Sequence, residues 1–224
     1  MQRKNFDWNE FREKAIKDED FVNRARELIQ LQHHYSAAIK EIRTKLEILD
    51  DEFHSKFQYN PIHHVESRLK SLNSIAEKAY KKGVDNSIEK VKETIKDIAG
   101  VRVICNYVDD VYTVMELLLK QTDVTLLCKK DYIKSPKSNG YRSLHLIVSV
   151  PIFLAEGVED IPVEIQIRTI AMDFWASLEH SLKYKSKVGD TERLAQRLKM
   201  CAERITDVDE EMYLIHKEIM DKKD

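Results

Sequence analysis

Apolar residues recur at alternating spacings of four and three near the start of the chain. Between residues 19 and 53, Phe21, Ala25, Leu28, Tyr35, Ile39, Ile42, Leu46, Leu49 and Phe53 hold this register, and only Gln32 interrupts it. An α-helix with that period gathers its apolar side chains into one stripe, so the segment predicts a long amphipathic helix. The pattern returns at the other end in Leu194, Leu198, Cys201, Ile205, Val208, Met212, Ile215 and Ile219. That is about four heptads, enough for a seam of coiled-coil type. Both stripes need something to cover them: the middle of the chain, each other, or a second subunit. Oligomerisation through them is the expectation.

Between these ends the period drops to two, as in strands. Val101, Val103, Cys105 and Tyr107 alternate with Arg102, Ile104 and Asn106, and Leu144, Leu146, Val148 and Val150 alternate with Ser143, His145, Ile147 and Ser149. Ile161, Val163, Ile165 and Ile167 alternate with Pro162, Glu164, Gln166 and Arg168. A fourth strand is expected at 123–129, with helices at about 63–82, 108–120 and 170–186. The fold class is therefore α/β (α+β), a mixed sheet flanked by helices. It divides into an N-terminal helical extension (1–58), a central domain (59–188) and a C-terminal amphipathic helix (189–224). Segment 154–160 reads as a hairpin connection, whereas the longer, basic segment 130–140 is the candidate substrate loop.

Charge narrows the choice of partner. Lys+Arg number 37 and Asp+Glu 39, a formal net charge of −2, so no global field draws the protein to nucleic acid or a membrane surface. Any basic site must be local. Cys105, Cys128 and Cys201 lie far apart, which fits a reducing compartment, by default the cytoplasm, and not a disulfide framework. No apolar run reaches the ~18 residues of a membrane span, and the first residues lack the apolar stretch of a leader. The five glycines form neither GxGxxG nor GxxxxGK. A nucleotide would thus be held by Lys and Arg side chains and not by a glycine-rich cradle.

Several clusters carry candidate chemistry. Glu164, Gln166 and Arg168 share one strand face, which reads either as a site or as a solvent-facing strand with a cross-strand ion pair. Asp97 precedes the strand at 101. If those strands are neighbours, Asp97 and Glu164 can hold Mg²⁺ against phosphates, since Mg²⁺ takes one or two carboxylates plus substrate oxygens. The stretch SRLKSLNSIAEKAYKK gathers Arg68, Lys70, Ser74, Lys78, Lys81 and Lys82, a phosphate site or a solvated helix face. Lys130, Lys134 and Lys137 add charge to the loop. After Gly140, Tyr141 can offer its ring to a purine, with Arg142 beside it and His145 nearby on the strand. The other histidines show no HExxH spacing, and no GxSxG elbow supports a covalent mechanism. These residues alone reach a Mg²⁺-dependent nucleotide site built of side chains on a mixed sheet, and they leave open a nucleotidyltransferase acting on nucleic acid and a non-catalytic nucleotide- or RNA-binding module.

Taken together, SRLK (67–70), KDIAGVRVIC (96–105), KDYIKSPKSNGYRSLH (130–145), VEIQIRT (163–169) and FWASLEHSLKYK (174–185) resemble the synthetase domain of the RelA/SpoT alarmone family. The resemblance covers about residues 60–186, and the helical ends look like those of its small stand-alone synthetases. It implies a nucleotidyltransferase-like mixed sheet, a homotetramer, and transfer of pyrophosphate from ATP to the 3′-hydroxyl of GDP or GTP with release of AMP, in the stringent response. It also implies roles for residues. Arg68 and Arg102 would sandwich adenine, Lys70, Lys78 and Lys81 would meet the ATP phosphates with Ser74 alongside, and Asp97 would coordinate Mg²⁺. On the acceptor side, Tyr141 would stack on guanine, Lys137 and His145 would lie near the phosphates, and Lys130, Arg142, Gln166, Arg168 and Glu179 would complete the pocket. Glu164 would face the acceptor hydroxyl, as base or through the metal. Asp173 stands where Asn is expected, which leaves its role open. Bifunctional relatives hydrolyse alarmone in a domain marked by adjacent His and Asp; none of the eight histidines here is followed by Asp, so synthesis without hydrolysis is expected. No membrane and no stable nucleic-acid complex are expected.

Overall fold

The computed structural model describes residues 19–57, 59–84, 87–185 and 191–222. The divisions drawn after 58 and 188 fall outside that set, as do the side chains of Phe21 and Ala25. The first helix, α1 (Glu19–Lys56), runs as one piece. Its stripe is consumed within the chain: Leu31, Tyr35, Ala38, Ile39, Ile42 and Leu46 are buried in the main core. Burial at Tyr35 raises its phenol pKa to about 12.

Five strands make one sheet: β1 (Ile62–Leu69), β2 (Ala99–Cys105), β3 (Thr125–Asp131), β4 (Leu144–Leu154) and β5 (Gly157–Thr169). Their spatial order is β1-β2-β5-β4-β3. Only β2 and β5 run parallel, so the sheet is mixed. Alternation decides which face is buried. Val163, Ile165 and Ile167 of β5 and Leu144, Leu146, Val148 and Val150 of β4 are fully buried with the core residues of α1 and of α4 (Val108–Leu119). Glu164, Gln166 and His145 therefore stand on the opposite face. The hairpin between β4 and β5 turns over two residues, 155 and 156.

The helix expected over 63–82 is corrected. Its first half is strand β1, paired antiparallel to β2 as a sheet edge, with Arg68 opposite Gly100. Strand pairing along one side of β1 outweighs the helical propensity of a short charged segment, because propensity is a weak prior against tertiary context. A helix begins only at α2 (Leu72–Lys81), where the Ser71 hydroxyl accepts the Ser74 N–H. A second short helix, α3 (Ile88–Thr94), capped by Ser87, escaped the periodicity reading.

After β5 the chain enters α5 (Ile170–Lys185) and then α6 (Thr191–Asp221). The C-terminal stripe behaves unlike that of α1. Val208, Met212, Ile215 and Ile219 are exposed on the single chain, as are Ile170, Phe174, Leu178 and Leu182 of α5. Among the described residues no helix is long and apolar enough to cross a membrane.

Candidate active site

The polar face of the sheet is centred on the β2–β5 pair, where Gly100 lies beside Glu164 and Arg102 beside Gln166. The parallel pairing answers the question of adjacency. Asp97, two residues before β2, is close enough to Glu164 for the carboxylates to repel each other. Asp97 Oδ2 accepts from Lys70 Nζ at 2.6 Å and Lys78 Nζ at 2.7 Å. Burial raises the Asp97 pKa, but the two lysines outweigh that and hold the carboxyl below its ordinary range. Its other oxygen, Oδ1, is buried with no hydrogen-bond partner among the described residues. Burial also lowers the Lys70 pKa against the pull of Asp97.

Five side chains close a ring. Arg168 Nη2 donates to Gln166 Oε1 at 2.6 Å, and Gln166 Nε2 donates to Glu164 Oε2 at 2.9 Å. Glu164 Oε1 faces His145 Nδ1 at 3.5 Å, and His145 Nε2 lies 2.8 Å from the Tyr141 hydroxyl. That hydroxyl accepts from Arg168 Nη2 at 3.1 Å and completes the circuit. The Gln166 amide has one orientation here, since a guanidinium needs an acceptor and a carboxylate a donor. Burial raises the Glu164 pKa, yet His145 and Gln166 reverse the shift and hold the carboxyl below the usual range. Glu164 is thus ionised at neutral pH. Arg168 is only 3% exposed; Asp173 balances it, with its Oδ1 3.2 Å from Arg168 Nη1 and 3.6 Å from Arg102 Nη1. Asp173, whose role the sequence left open, joins the two arginines.

The remaining predicted residues divide into two groups around this ring. Arg68 and Arg102 line a cleft with Glu66, Ser67, Gly100, Val101, Glu164 and Gln166. Arg102 Nη1 is held by Glu66 at 3.1 Å, and the cleft measures about 60 Å³, well below the ~300–1,000 Å³ of a pocket filled by a ligand. A nucleotide must displace that pair. Ser74 and Lys81 are exposed on α2, with Ser74 taken into the helix cap. On the other side, Lys137 Nζ lies 4.5 Å from the Tyr132 ring and 4.7 Å from the Tyr141 ring, so a purine reaching Tyr141 must move it. Lys130 pairs in register with His145 and is exposed. Arg142 bends away from the ring to donate to Ile133 O at 3.4 Å. Glu179, on α5, accepts from Asn139 at 3.1 Å. Sequence reasoning missed Glu66, Tyr132 and Asn139. The last two lie inside the 130–145 motif and were legible there as an aromatic and an amide next to Lys130 and Gly140.

Comparison with known proteins bears directly on this geometry. The family described as "Region found in RelA / SpoT proteins" matches residues 67–189. The chain belongs to the RelA/SpoT family. It is 45% identical over 185 residues to GTP pyrophosphokinase YwaC of Bacillus subtilis (strain 168), covering 83% of this chain and 88% of that protein. It is also similar to the solved small alarmone synthetase 1 of Bacillus subtilis bound to its product pppGpp, with TM-score 0.79 at 37% identity over 87% of this chain and 98% of that one. The form of that enzyme bound to AMPCPP gives TM-score 0.72 at 34% identity, over 87% and 98%. The RelA/SpoT match runs from the end of β1 through α5 and so contains the ring, Asp97 and the lysines around it.

No three or more His, Cys, Asp or Glu side chains converge as a metal site among the described residues. A cation held here would complete its shell from water or substrate oxygens. Asp97 Oδ1, buried and unpartnered, and the ionised Glu164 beside it form a donor set of two carboxylates, which suits a hard ion such as Mg²⁺.

Proposed function

We propose that this protein is a (p)ppGpp synthetase, a GTP diphosphokinase that moves the pyrophosphate of ATP onto the 3′-hydroxyl of GDP or GTP. One observation carries the reading: the Glu164 carboxylate is locked in a half-buried ring of hydrogen-bonded side chains between a cationic cleft and a basic, tyrosine-bearing loop. Two nucleotide half-sites thus meet at one carboxylate. Oxygen attacks the β-phosphorus, the bond from that phosphorus to the α,β-bridging oxygen breaks, and AMP leaves. Such a transfer needs in-line positioning and charge neutralisation more than covalent help.

The residues divide that work. Arg68 and Arg102 grip the adenine of the donor, and Lys70 and Lys78 neutralise its phosphates, with Lys81 and Ser74 at the rim. Tyr141 receives guanine once Lys137 moves toward the acceptor's phosphates. Glu164 orients the 3′-hydroxyl and accepts its proton, while Gln166, His145 and Arg168 hold Glu164 in place. With its pKa held low, Glu164 is a weak base by itself, so the hydroxyl must be acidified by its surroundings. Asp97 and Glu164 would hold Mg²⁺, which supplies charge neutralisation on the phosphates and lowers the pKa of an oxygen bound to it.

Two further parts of the proposal concern the whole molecule. The exposed stripes of α5 and α6 are covered in a homotetramer; apolar patches of this length on a single chain mark an interface. The protein works in the cytoplasm, consistent with three free cysteines. The test is incubation with ATP, GDP and Mg²⁺. AMP and guanosine tetraphosphate should appear in equal amounts, and binding of both nucleotides without AMP release would leave only a sensor.

A further inference from the structure

The C-terminal helix α6 has an inner face opposite its exposed stripe. Four contacts tie its inner face to the acceptor side of the site. First, Gly140, at φ +89°, rests directly on Ala202: a β-carbon on Gly140 would come within 2.6 Å of Ala202 Cβ. Second, Trp175 Nε1 on α5 donates to Leu198 O at 2.9 Å. Third, Trp175, Ala176 and Ala202 form a small core against which Tyr141 packs, separate from the main one. Fourth, Asp209 is 7% exposed, and its Oδ2 accepts from the Thr169 hydroxyl at 2.7 Å.

The fourth contact is mechanically specific. Thr169 follows Arg168 at the end of β5, and its hydroxyl oxygen also accepts the Met172 N–H at 3.2 Å, capping α5. Asp209 therefore anchors the corner from which Arg168 enters the ring and from which α5 carries Asp173 and Glu179. Burying a carboxyl for one neutral hydroxyl is expensive, and desolvation pushes the Asp209 pKa up, with Thr169 and nearby Arg142 opposing. Arg142 belongs to the acceptor loop, so this charge reaches the loop as well as the corner.

We infer that α6 is a positioning element for the acceptor half-site, with Asp209 its positioning residue: it clamps the 132–142 loop and the β5–α5 corner so that Tyr141 and Arg168 stand ready for the guanosine nucleotide. This rests on the synthetase reading for the identity of the ligand, whereas the clamp itself is a statement about the loop. None of the four contacts involves Arg68, Lys70, Lys78 or Asp97. The effect should therefore fall chiefly on the acceptor, since the donor side is reached only through the longer Asp173–Arg102 contact of 3.6 Å.

The experiment compares full-length wild type with Asp209→Ala, Asp209→Asn and Thr169→Val, measuring KM for GDP and for ATP, kcat, and amide hydrogen exchange across residues 132–142. Asp209→Ala and Thr169→Val should raise the GDP KM by about tenfold with the ATP KM within about twofold, while Asp209→Asn, which still accepts the threonine proton, stays close to wild type. Exchange in the loop should quicken in the same two variants, a readout that does not depend on turnover. A wild type without AMP release would sink the synthetase reading and leave the exchange result to decide the clamp. Unchanged loop exchange, equal loss for both nucleotides, or loss of the fold in both variants would overturn the inference.

Discussion

Replacing Glu164 by glutamine removes a charge and almost no volume, so the effect is set by the hydrogen bonds of the ring around it. Gln166 Nε2 donates to one carboxylate oxygen at 2.9 Å and His145 Nδ1 faces the other at 3.5 Å. A glutamine carbonyl can serve only one of them. If it keeps Gln166, its own NH₂ points at His145 Nδ1, which must then give up any proton it carries. His145 Nε2 becomes the donor, and the Tyr141 hydroxyl, which already accepts from Arg168, loses its acceptor. These are hydrogen bonds of about 1 kcal/mol each, so the fold survives, with a melting temperature lower by about 2–4 °C per kcal/mol lost. The chemistry should suffer far more. Removal of a positioned carboxylate at the reacting hydroxyl costs about 10²- to 10⁴-fold in kcat, or about 3–5 kcal/mol of barrier. The assay is AMP release at saturating ATP and GDP, run beside a thermal melt. Turnover within about threefold of wild type, in a variant that melts normally, would refute the role given to Glu164.

Other outcomes are expected from the same geometry. Asp97→Asn leaves Lys70, with a side chain only 13% exposed, beside Lys78 without a counter-charge; stability should fall by about 1–3 kcal/mol, short of the ~3–5 for a fully buried pair, and Mg²⁺-dependent turnover should collapse, which chemical denaturation and a Mg²⁺ titration would check. Because the Asp97 pKa is depressed in the folded state, its stabilisation is present above the unfolded value of about 3.9 and is lost as pH falls through the folded one; an Asp97→Asn melt series should converge with wild type only in acid. Glu164 is likewise held low, so it should place no limb on the pH–rate profile above its ordinary value of about 4.3; an acid limb above about pH 6 that moves upward in Gln166→Ala would contradict this. Asp173→Asn should leave two arginines facing each other and raise KM for both nucleotides, measured with each in turn saturating; an effect on one alone would show that it does not join the half-sites. Val208→Glu with Met212→Glu should lower the mass in solution by light scattering, and an unchanged mass would remove the stripe from the interface.

What the sequence made legible depended on local period. The α1 stripe, the alternation in β4 and β5, and the shared face of Glu164, Gln166 and Arg168 were all visible because one residue's environment is fixed by neighbours two to four positions away. Strand β1 was not. Its segment is charged, and an edge strand with one paired side requires no continuous apolar alternation. The proximity of Asp97 to Glu164 depends on parallel pairing across more than sixty residues of chain, which spacing cannot encode. The same holds for His145 reaching Glu164 from β4. Glu66 and Asp209 were invisible for a simpler reason: an acidic residue on an edge strand or a surface helix has nothing in its own neighbourhood to mark it.

The unliganded arrangement also separates what moves from what stays. Nearly every group assigned to substrate already has a protein partner: Arg102 has Glu66, Lys137 has two aromatic rings, and Lys70 and Lys78 share Asp97. Substrate binding is therefore an exchange of partners. At the rim the exchange is cheap, because exposed ion pairs such as Arg102 with Glu66 contribute only about 0–1 kcal/mol, so opening the 60 Å³ cleft meets little resistance. The ring of Arg168, Gln166, Glu164, His145 and Tyr141 is half-buried to buried, each member held by two others, and breaking one bond there strands a polar group away from water at about 1–3 kcal/mol. The cations thus exchange partners with the nucleotides while the carboxylate that meets the hydroxyl keeps its place, the division of labour that a transfer relying on alignment requires.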